Sequence, residues 1–155
     1  MTPLVIGCGH PDRGDDAAGL LAARFLCERG VDAVEHRRDA LALLDLWAAK
    51  PHVILVDAIL TGRRRGAVSI WDVSSFLSVP DLPGASTHNF SLAEAMRLGH
   101  VLGRLPGRLQ IYGIESREFA LATPPSPRVV AGARRAARMI VEEIAPCTNR
   151  HSSPV

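Results

Sequence analysis

Three side chains in this sequence are of the types that bind a divalent metal ion or perform acid–base chemistry. Asp16 follows a loop that contains several glycines, Asp57 directly follows the apolar run VILV, and His88 lies in the polar loop SVPDLPGASTHNF. Two carboxylates and one imidazole leave coordination positions open for a substrate, and such donors suit nickel, zinc, manganese or iron. The three residues therefore predict a metal or acid–base site, provided that the fold brings them together.

Each of these residues also has an ordinary structural interpretation. Asp15 and Asp16 stand where a helix begins, and an acid at the N-cap or in the first turn stabilises a helix by about 0.5–2 kcal/mol. Only one of two adjacent acids can occupy the cap, so we assign the cap to Asp15 and the metal to Asp16, and leave open whether Asp15 shares that role. Asp57 could accept backbone N–H groups of the next loop, and His88 could be an uninvolved loop residue.

The glycines before Asp16 raise a second hypothesis, a dinucleotide-binding loop. Gly7 and Gly9 match the first two glycines of G-x-G-x-x-G, but Asp12 stands where the third glycine is needed. Two adjacent carboxylates would also repel a pyrophosphate group. We therefore disfavour a nucleotide-binding module. Asp12 is interpreted as a solvated turn residue, and His10 as a neighbour of the site in the same loop.

The elements that must position these residues follow from the alternation of apolar runs with amphipathic segments. Strands are predicted over residues 3–8, 31–36, 52–59, 66–73 and 108–115. Helices are predicted over residues 16–30, 40–49 and 91–103, and a last helix starts with Ser126 as N-cap and Pro127 in its first turn. This order predicts a three-layer α/β fold, in which a twisted, mostly parallel sheet of about five strands is flanked by helices on both faces. Ligands bind at the carboxyl ends of such strands, so Asp16, Asp57 and His88 should meet at one edge.

Composition limits the class of protein. The chain has 155 residues, 47% of them apolar and 22% charged, which predicts one domain over residues 1–145 and a flexible tail over 146–155. A net charge of +2 does not indicate nucleic-acid binding, and the arginine run at 63–65 predicts a solvated turn or a contact for an acidic partner. The three cysteines lack zinc-site spacing, and neither a signal peptide nor a membrane-length apolar run is evident. We expect a cytoplasmic protein without membrane partners and, without a large exposed apolar stripe, a monomer.

Four sequence blocks resemble the hydrogenase maturation proteases, the endopeptidases that trim the large subunit of nickel–iron hydrogenases. The blocks are VIGCGHPDRGDDAAG, VILVDAI, STHNFSLAEAM and QIYGIES, and the resemblance covers most of the chain. It implies that the family's two metal-binding acids and its histidine correspond to Asp16, Asp57 and His88. Two positions depart from the family pattern, because its usual Asn after Gly-x-Gly is His10 here and its first acid, often Glu, is the shorter Asp16.

The resemblance implies an aspartic-type endopeptidase that removes the C-terminal extension of a nickel-loaded hydrogenase large-subunit precursor. Nickel would arrive with this precursor and be bound by Asp16, Asp57 and His88, so the isolated protein would contain no catalytic metal. Two alternatives stay open beside the nucleotide-binding module. One is a metallohydrolase with its own tightly held metal, and the other is a non-catalytic chaperone that binds the metal or the precursor.

Overall fold

The computed structural model describes residues 2–37, 39–78 and 90–146, without the side chains of residues 90 and 91. Within these residues the strands are β1 (Leu4–Cys8), β2 (Ala33–His36), β3 (His52–Ile59), β4 (Val68–Asp72) and β5 (Arg108–Glu115). The α-helices are α1 (Ala18–Cys27), α2 (Ala40–Trp47), α3 (Val73–Leu77), α4 (Phe90–Val101) and α5 (Pro127–Ile144). A short 3-10 turn, Gly14–Ala17, leads directly into α1.

The five strands of the described chain form one sheet in the order β2-β1-β3-β5-β4. The first four strands of this order are parallel, and β4 pairs antiparallel with β5 at the edge. β3 lies at the centre with all but its first residue buried, which explains why its sequence is almost continuously apolar. The predicted five-stranded, mostly parallel sheet is confirmed.

Helices cover both faces of the sheet. On one face α1 and α5 pack against side chains such as Val5 and Ile54. On the opposite face α2, α3 and α4 pack against their chain neighbours Ile6 and Leu55. Because successive strand residues point to opposite faces, each buried strand contributes to both apolar cores. The predicted three-layer arrangement is therefore confirmed as well.

The first turn of α1 lies very close to the backbones of β1 and β3. A Cβ atom at Gly19 would lie 2.2 Å from the carbonyl oxygens of both Cys8 and Val56, and one at Gly7 would lie 2.1 Å from the carbonyl oxygen of Gly19. Only residues without a Cβ atom permit this approach. The contact holds the preceding 3-10 turn, which carries the two adjacent acids, against β3.

The first helix differs from its prediction at both ends. The helix predicted over residues 16–30 is divided into the 3-10 turn and α1, and α1 ends at Cys27. The N–H of Gly30 then bonds to the Cys27 carbonyl at 3.0 Å, and Gly30 has a left-handed φ of +76°. Glycine accepts this conformation without strain, so Gly30 allows the turn that follows α1, and the helix itself ends three residues earlier than predicted.

The fourth predicted strand is also shorter than expected. It was predicted over residues 66–73 but ends at Asp72, because Val73 begins the unpredicted helix α3. The Asp72 carboxylate caps this helix by accepting the N–H of Ser75 at 2.7 Å. Two other predicted segments lie almost wholly outside the described residues: residues 79–89 of the polar loop SVPDLPGASTHNF and residues 147–155 of the tail predicted over 146–155.

We predict that Gly19→Ala strongly destabilises the protein, although alanine favours helix formation over glycine. The added Cβ atom would overlap two strand carbonyl oxygens, and the backbone would have to separate, with an expected loss of at least about 3 kcal/mol in the free energy of unfolding. Urea denaturation measures this loss. A matched control is Gly30→Ala, which meets open space and loses only about 1 kcal/mol from its left-handed φ. Equal stability of Gly19→Ala and the parent would contradict the packing account.

Candidate active site

Asp57 lies near the carboxyl end of β3, in the buried centre of the sheet. Its side chain is fully buried, and Gly113 of β5 is its partner in register. One of its carboxylate oxygens, Oδ1, accepts the N–H of Ala58 at 2.8 Å. Removing a carboxylate from water is costly, so an acid inside the central strand is expected to have a specific role.

Asp16 lies on the 3-10 turn and is only 2% exposed. Its backbone carbonyl accepts the N–H of His10 at 3.2 Å, so the turn folds back over the end of β1. A Cβ atom at Gly9 would lie 2.0 Å from that same carbonyl oxygen. Gly7 and Gly9 are therefore explained by the close packing of the acidic turn and α1 on the sheet, without any phosphate group.

The two acids predicted for the site stand at the same edge of the sheet. The 3-10 turn that carries Asp16 contacts β3, which carries Asp57, at the carboxyl ends of the parallel strands. This is the edge where ligands bind in open α/β sheets. The third predicted residue, His88, lies outside the described residues and stays a prediction. Among the residues described, no group of three His, Cys, Asp or Glu side chains could hold a metal ion.

Asp15 does not cap its own helix, so our prediction of its role was wrong. Its Oδ1 accepts the backbone N–H of Ser126 at 2.8 Å and also the Ser126 hydroxyl. Its Oδ2 accepts the backbone N–H groups of Arg117 and Glu118, both at 3.0 Å. The side chain therefore points away from its own helix and toward the loop after β5, whose N–H groups it accepts. Ser126 is the N-cap residue of α5 as predicted, but its hydroxyl donates a hydrogen bond to Asp15 and makes no capping bond to the helix.

The bonds to Asp15 keep its carboxylate ionised in a buried position. Burial alone would raise the pKa of Asp15, but the Ser126 hydroxyl and the N–H groups of Glu118, Arg117 and Ser126 outweigh it and hold the pKa below the ordinary value of 3.8. The guanidinium Nε of Arg65, 3.9 Å from Oδ2, places a positive charge beside it. Asp15 thus joins the acidic turn to the loop after β5.

The loop after β1 is also joined to that later loop through the backbone. The N–H of Gly14 donates to the carbonyl of Thr123 at 2.8 Å, and the N–H of Ala122 donates to the carbonyl of Asp12 at 2.7 Å. The exposed position of Asp12 confirms it as a turn residue at the surface. His10 belongs to this turn, because its Nδ1 accepts the Asp12 N–H at 3.1 Å.

Glu115 is a buried acid at the same edge that the sequence analysis missed. It ends β5 and is 1% exposed. Its Oε1 accepts the N–H groups of Thr61 at 2.8 Å and Arg63 at 3.0 Å, and its Oε2 accepts the Thr61 hydroxyl at 2.9 Å. These bonds fix the loop between β3 and β4. The sequence did contain an indication of this role, because Glu115 is an acid at the end of a largely apolar strand, the same pattern by which Asp57 was selected.

The fold defines a three-layer α/β protein with buried acids at the carboxyl-end edge of its sheet, and solved structures share this architecture. The hydrogenase maturation protease HybD of Thermococcus kodakarensis is 25% identical, with a TM-score of 0.73 over 94% of this chain and 100% of that one. HycI of the same organism is 28% identical, with a TM-score of 0.70 over 92% of both chains. The maturating endopeptidase HybD of E. coli, 20% identical over 92% of this chain and 93% of that one, has a TM-score of 0.74 and supports the fold alone.

The family follows from a direct comparison of the sequence with family models. The model of the HycI hydrogenase maturation protease matches residues 18–143. This chain belongs to the hydrogenase maturation protease family, and the resemblance found in its sequence blocks is confirmed. A search of the curated proteins finds no match. In the part of the chain that the structure describes, no helix is long and apolar enough to cross a membrane.

We predict that Asp15→Asn weakens the fold by about 2–4 kcal/mol at neutral pH, since an amide nitrogen cannot accept the N–H groups that the buried carboxylate accepts. The native pKa of Asp15 lies below the value in the unfolded chain, so its stabilising effect is complete above that value and disappears as the pH falls through the native pKa. The stability difference between parent and variant should therefore be constant from about pH 5 to 7 and shrink below about pH 4.

Chemical denaturation at a series of pH values measures this difference. The control is Asp12→Asn, which changes an exposed acid of the same loop and should leave stability within about 0.5 kcal/mol of the parent. A loss of stability in Asp15→Asn that is no larger than in the control would contradict the role assigned to Asp15.

Proposed function

We propose that this protein removes the C-terminal extension from the nickel-loaded large-subunit precursor of a nickel–iron hydrogenase. The observation that carries the proposal is the pair of buried carboxylates, Asp16 and Asp57, at the ligand-binding edge of a member of the maturation protease family. Relatives with the same fold are named as maturation proteases of [NiFe] hydrogenases. In this proposal His88 supplies the third donor, from the sequence between α3 and α4.

The proposed site binds nickel that the precursor presents. Two carboxylates and an imidazole suit a divalent ion of this kind and leave positions for ligands that the precursor contributes. The metal then belongs to the substrate, and the free enzyme is expected to hold none. Nickel binding by Asp16, Asp57 and His88 would position the C-terminal extension beside the carboxylates, so that cleavage depends on a loaded precursor.

The proposed reaction is hydrolysis of one peptide bond. A water molecule attacks the carbonyl carbon, its proton passes to a carboxylate, and the C–N bond breaks as the amine takes up a proton. Nickel either polarises the carbonyl or water, or only positions the substrate while Asp16 or Asp57 acts as general base. In both cases the rigid edge of the sheet supplies the orientation.

We also propose that the protein acts in the cytoplasm as a monomer. The exposed thiol of Cys27, which forms no disulfide in the described part of the chain, is compatible with a reducing compartment. Light scattering of the purified protein tests the oligomeric state.

We predict that Asp16→Asn, Asp57→Asn and His88→Ala each abolish trimming of a nickel-loaded precursor in vitro. Each substitution removes one proposed nickel ligand, and we expect a loss of at least about 100-fold in kcat/KM. Mass spectrometry of the large subunit measures the trimming, and circular dichroism and thermal melting check the fold. Asp12→Asn, an exposed acid in the same loop as Asp16, is the matched control and should trim normally. Normal trimming by all three site variants would contradict the proposal.

We further predict that a metal-free precursor is not cut and that added nickel restores cutting. Elemental analysis of the purified enzyme should find no stoichiometric metal. A tightly held metal in the isolated protein would favour the metallohydrolase alternative. Nickel or precursor binding without any change in substrate mass would favour the non-catalytic chaperone, and binding of NAD or ATP in a titration would favour the nucleotide-binding module.

A further inference from the structure

A pocket lined by arginines opens between the β3–β4 loop and the beginning of α5. Its volume is about 310 Å³. Four arginines line it, two from the loop and two from the helix: Arg64, Arg65, Arg128 and Arg135. We call this site the arginine pocket. It includes two of the three residues of the arginine run at 63–65, which the function proposed above does not use.

Two of the four arginines are held in place by the protein. Arg135 Nη1 donates to the carbonyl of Gly66 at 3.1 Å, and Arg65 Nε lies 3.9 Å from Oδ2 of Asp15. The backbone of the loop is fixed as well, because the N–H of Gly66 donates to the carbonyl of Glu115 at 2.7 Å. The loop backbone and two of the four arginines are therefore held in place before any ligand arrives, which lowers part of the entropy lost on binding.

The guanidinium groups of the other two arginines are accessible to a ligand. Arg64 and Arg128 are exposed, and their guanidinium groups form no hydrogen bond or ion pair with any described residue. Like charges gathered around one pocket repel each other, and an anion in the pocket would relieve that repulsion. A guanidinium group presents paired N–H donors that match the two oxygens of a carboxylate. The chemistry of the pocket therefore favours an anionic ligand with paired oxygens.

The arginine pocket lies at the same edge of the sheet as the proposed active site. Its loop leaves β3 directly after Ile59, two residues beyond Asp57, and its helix follows the carboxyl end of β5. Asp15 connects the two places, because it bonds to the N-cap of α5 and lies beside Arg65, while its chain neighbour is Asp16. The Asp57 side chain is on the face of β3 that also carries Leu55 and Ile59, whereas the pocket is on the face covered by α5. A polypeptide that uses both places must therefore cross the carboxyl-end edge of the sheet.

We propose that the arginine pocket binds a carboxylate of the substrate polypeptide and so helps to hold the precursor on the enzyme. The inference rests on the proposed function, in which the ligand at this edge is a protein whose anionic groups are carboxylates. The carboxylate is either an Asp or Glu side chain of the C-terminal extension or the terminal carboxylate of that extension. Arg64 and Arg128 make the contact, while Arg65 and Arg135 shape the pocket.

The first test compares steady-state cleavage by the parent enzyme and the Arg64→Gln/Arg128→Gln double variant. We expect KM for the nickel-loaded precursor to rise about 10-fold or more, with kcat within about 2-fold of the parent, because the contact serves binding and not the bond-breaking step. The matched control is Arg138→Gln, which removes an exposed arginine of α5 outside the pocket and should leave KM unchanged. Thermal melting checks that all variants fold.

The second test uses charge reversal and separates the two sources of the carboxylate. Arg64→Glu/Arg128→Glu should cut the natural precursor poorly and should regain cleavage of a precursor whose extension carries Lys in place of its acids, if a side chain is bound. Adding neutral residues to the end of the extension should instead raise KM for the parent enzyme, if the terminal carboxylate is bound. A purely structural role of the arginines would give neither response.

The outcomes distinguish this inference from the function on which it rests. If the parent enzyme cuts no nickel-loaded precursor, the proposed function fails. If the parent cuts and the double glutamine variant has the same KM, or if neither altered extension changes cleavage, the arginine pocket does not bind the substrate. Loss of kcat alone, with unchanged KM, would also contradict the binding role.

Discussion

The contact on which this site depends is the close approach of the first turn of α1 to the backbones of β1 and β3. Because Gly7 and Gly19 have no side chain, the Gly19 carbonyl oxygen can lie against Gly7, and the carbonyl oxygens of Cys8 and Val56 can lie against Gly19. Gly9 allows the backbone of Asp16 to close over the end of β1. As a result the chain turns sharply from strand to helix, and the acid of that turn is held against the sheet edge that also carries Asp57.

Buried acids then fix the loops around that edge. Asp15 accepts N–H groups from the loop after β5, and Glu115 accepts N–H groups from the loop after β3. Each carboxylate accepts several backbone N–H groups of one loop, so removing either acid would loosen that loop. The loops around Asp16 and Asp57 are thereby held in place, which suits the positioning role proposed for this edge. The same bonds shape the arginine pocket through Arg65 and the loop backbone.

Most of the fold could be predicted from the sequence because its signals are local. The buried parallel strands show as apolar runs, and α5 shows as an amphipathic pattern behind Ser126 and Pro127. The helix α3 could not be predicted, because five residues are too short to display a helical period. The antiparallel direction of β4 also depends on pairing with β5, and no local pattern encodes it.

Of the surroundings of the proposed site, only some features could be predicted, for a related reason. Asp16 and Asp57 could be singled out because each acid stands at the end of an apolar or glycine-containing segment of recognisable type. The role of Asp15 could not, because its partners lie more than 100 positions away and are backbone groups of a loop without a regular pattern. The same applies to the arginine pocket, whose members come from two separate parts of the chain.

The most direct test of the central claim is nickel X-ray absorption spectroscopy on a precursor held uncleaved by a substitution at its scissile bond. The spectrum of the nickel-loaded precursor is recorded alone and then in complex with the protease. If Asp16, Asp57 and His88 bind the nickel of the substrate, the complex should show additional oxygen and nitrogen ligands, and Asp57→Asn should reduce the oxygen contribution. An unchanged nickel coordination in a complex that has formed would contradict the claim.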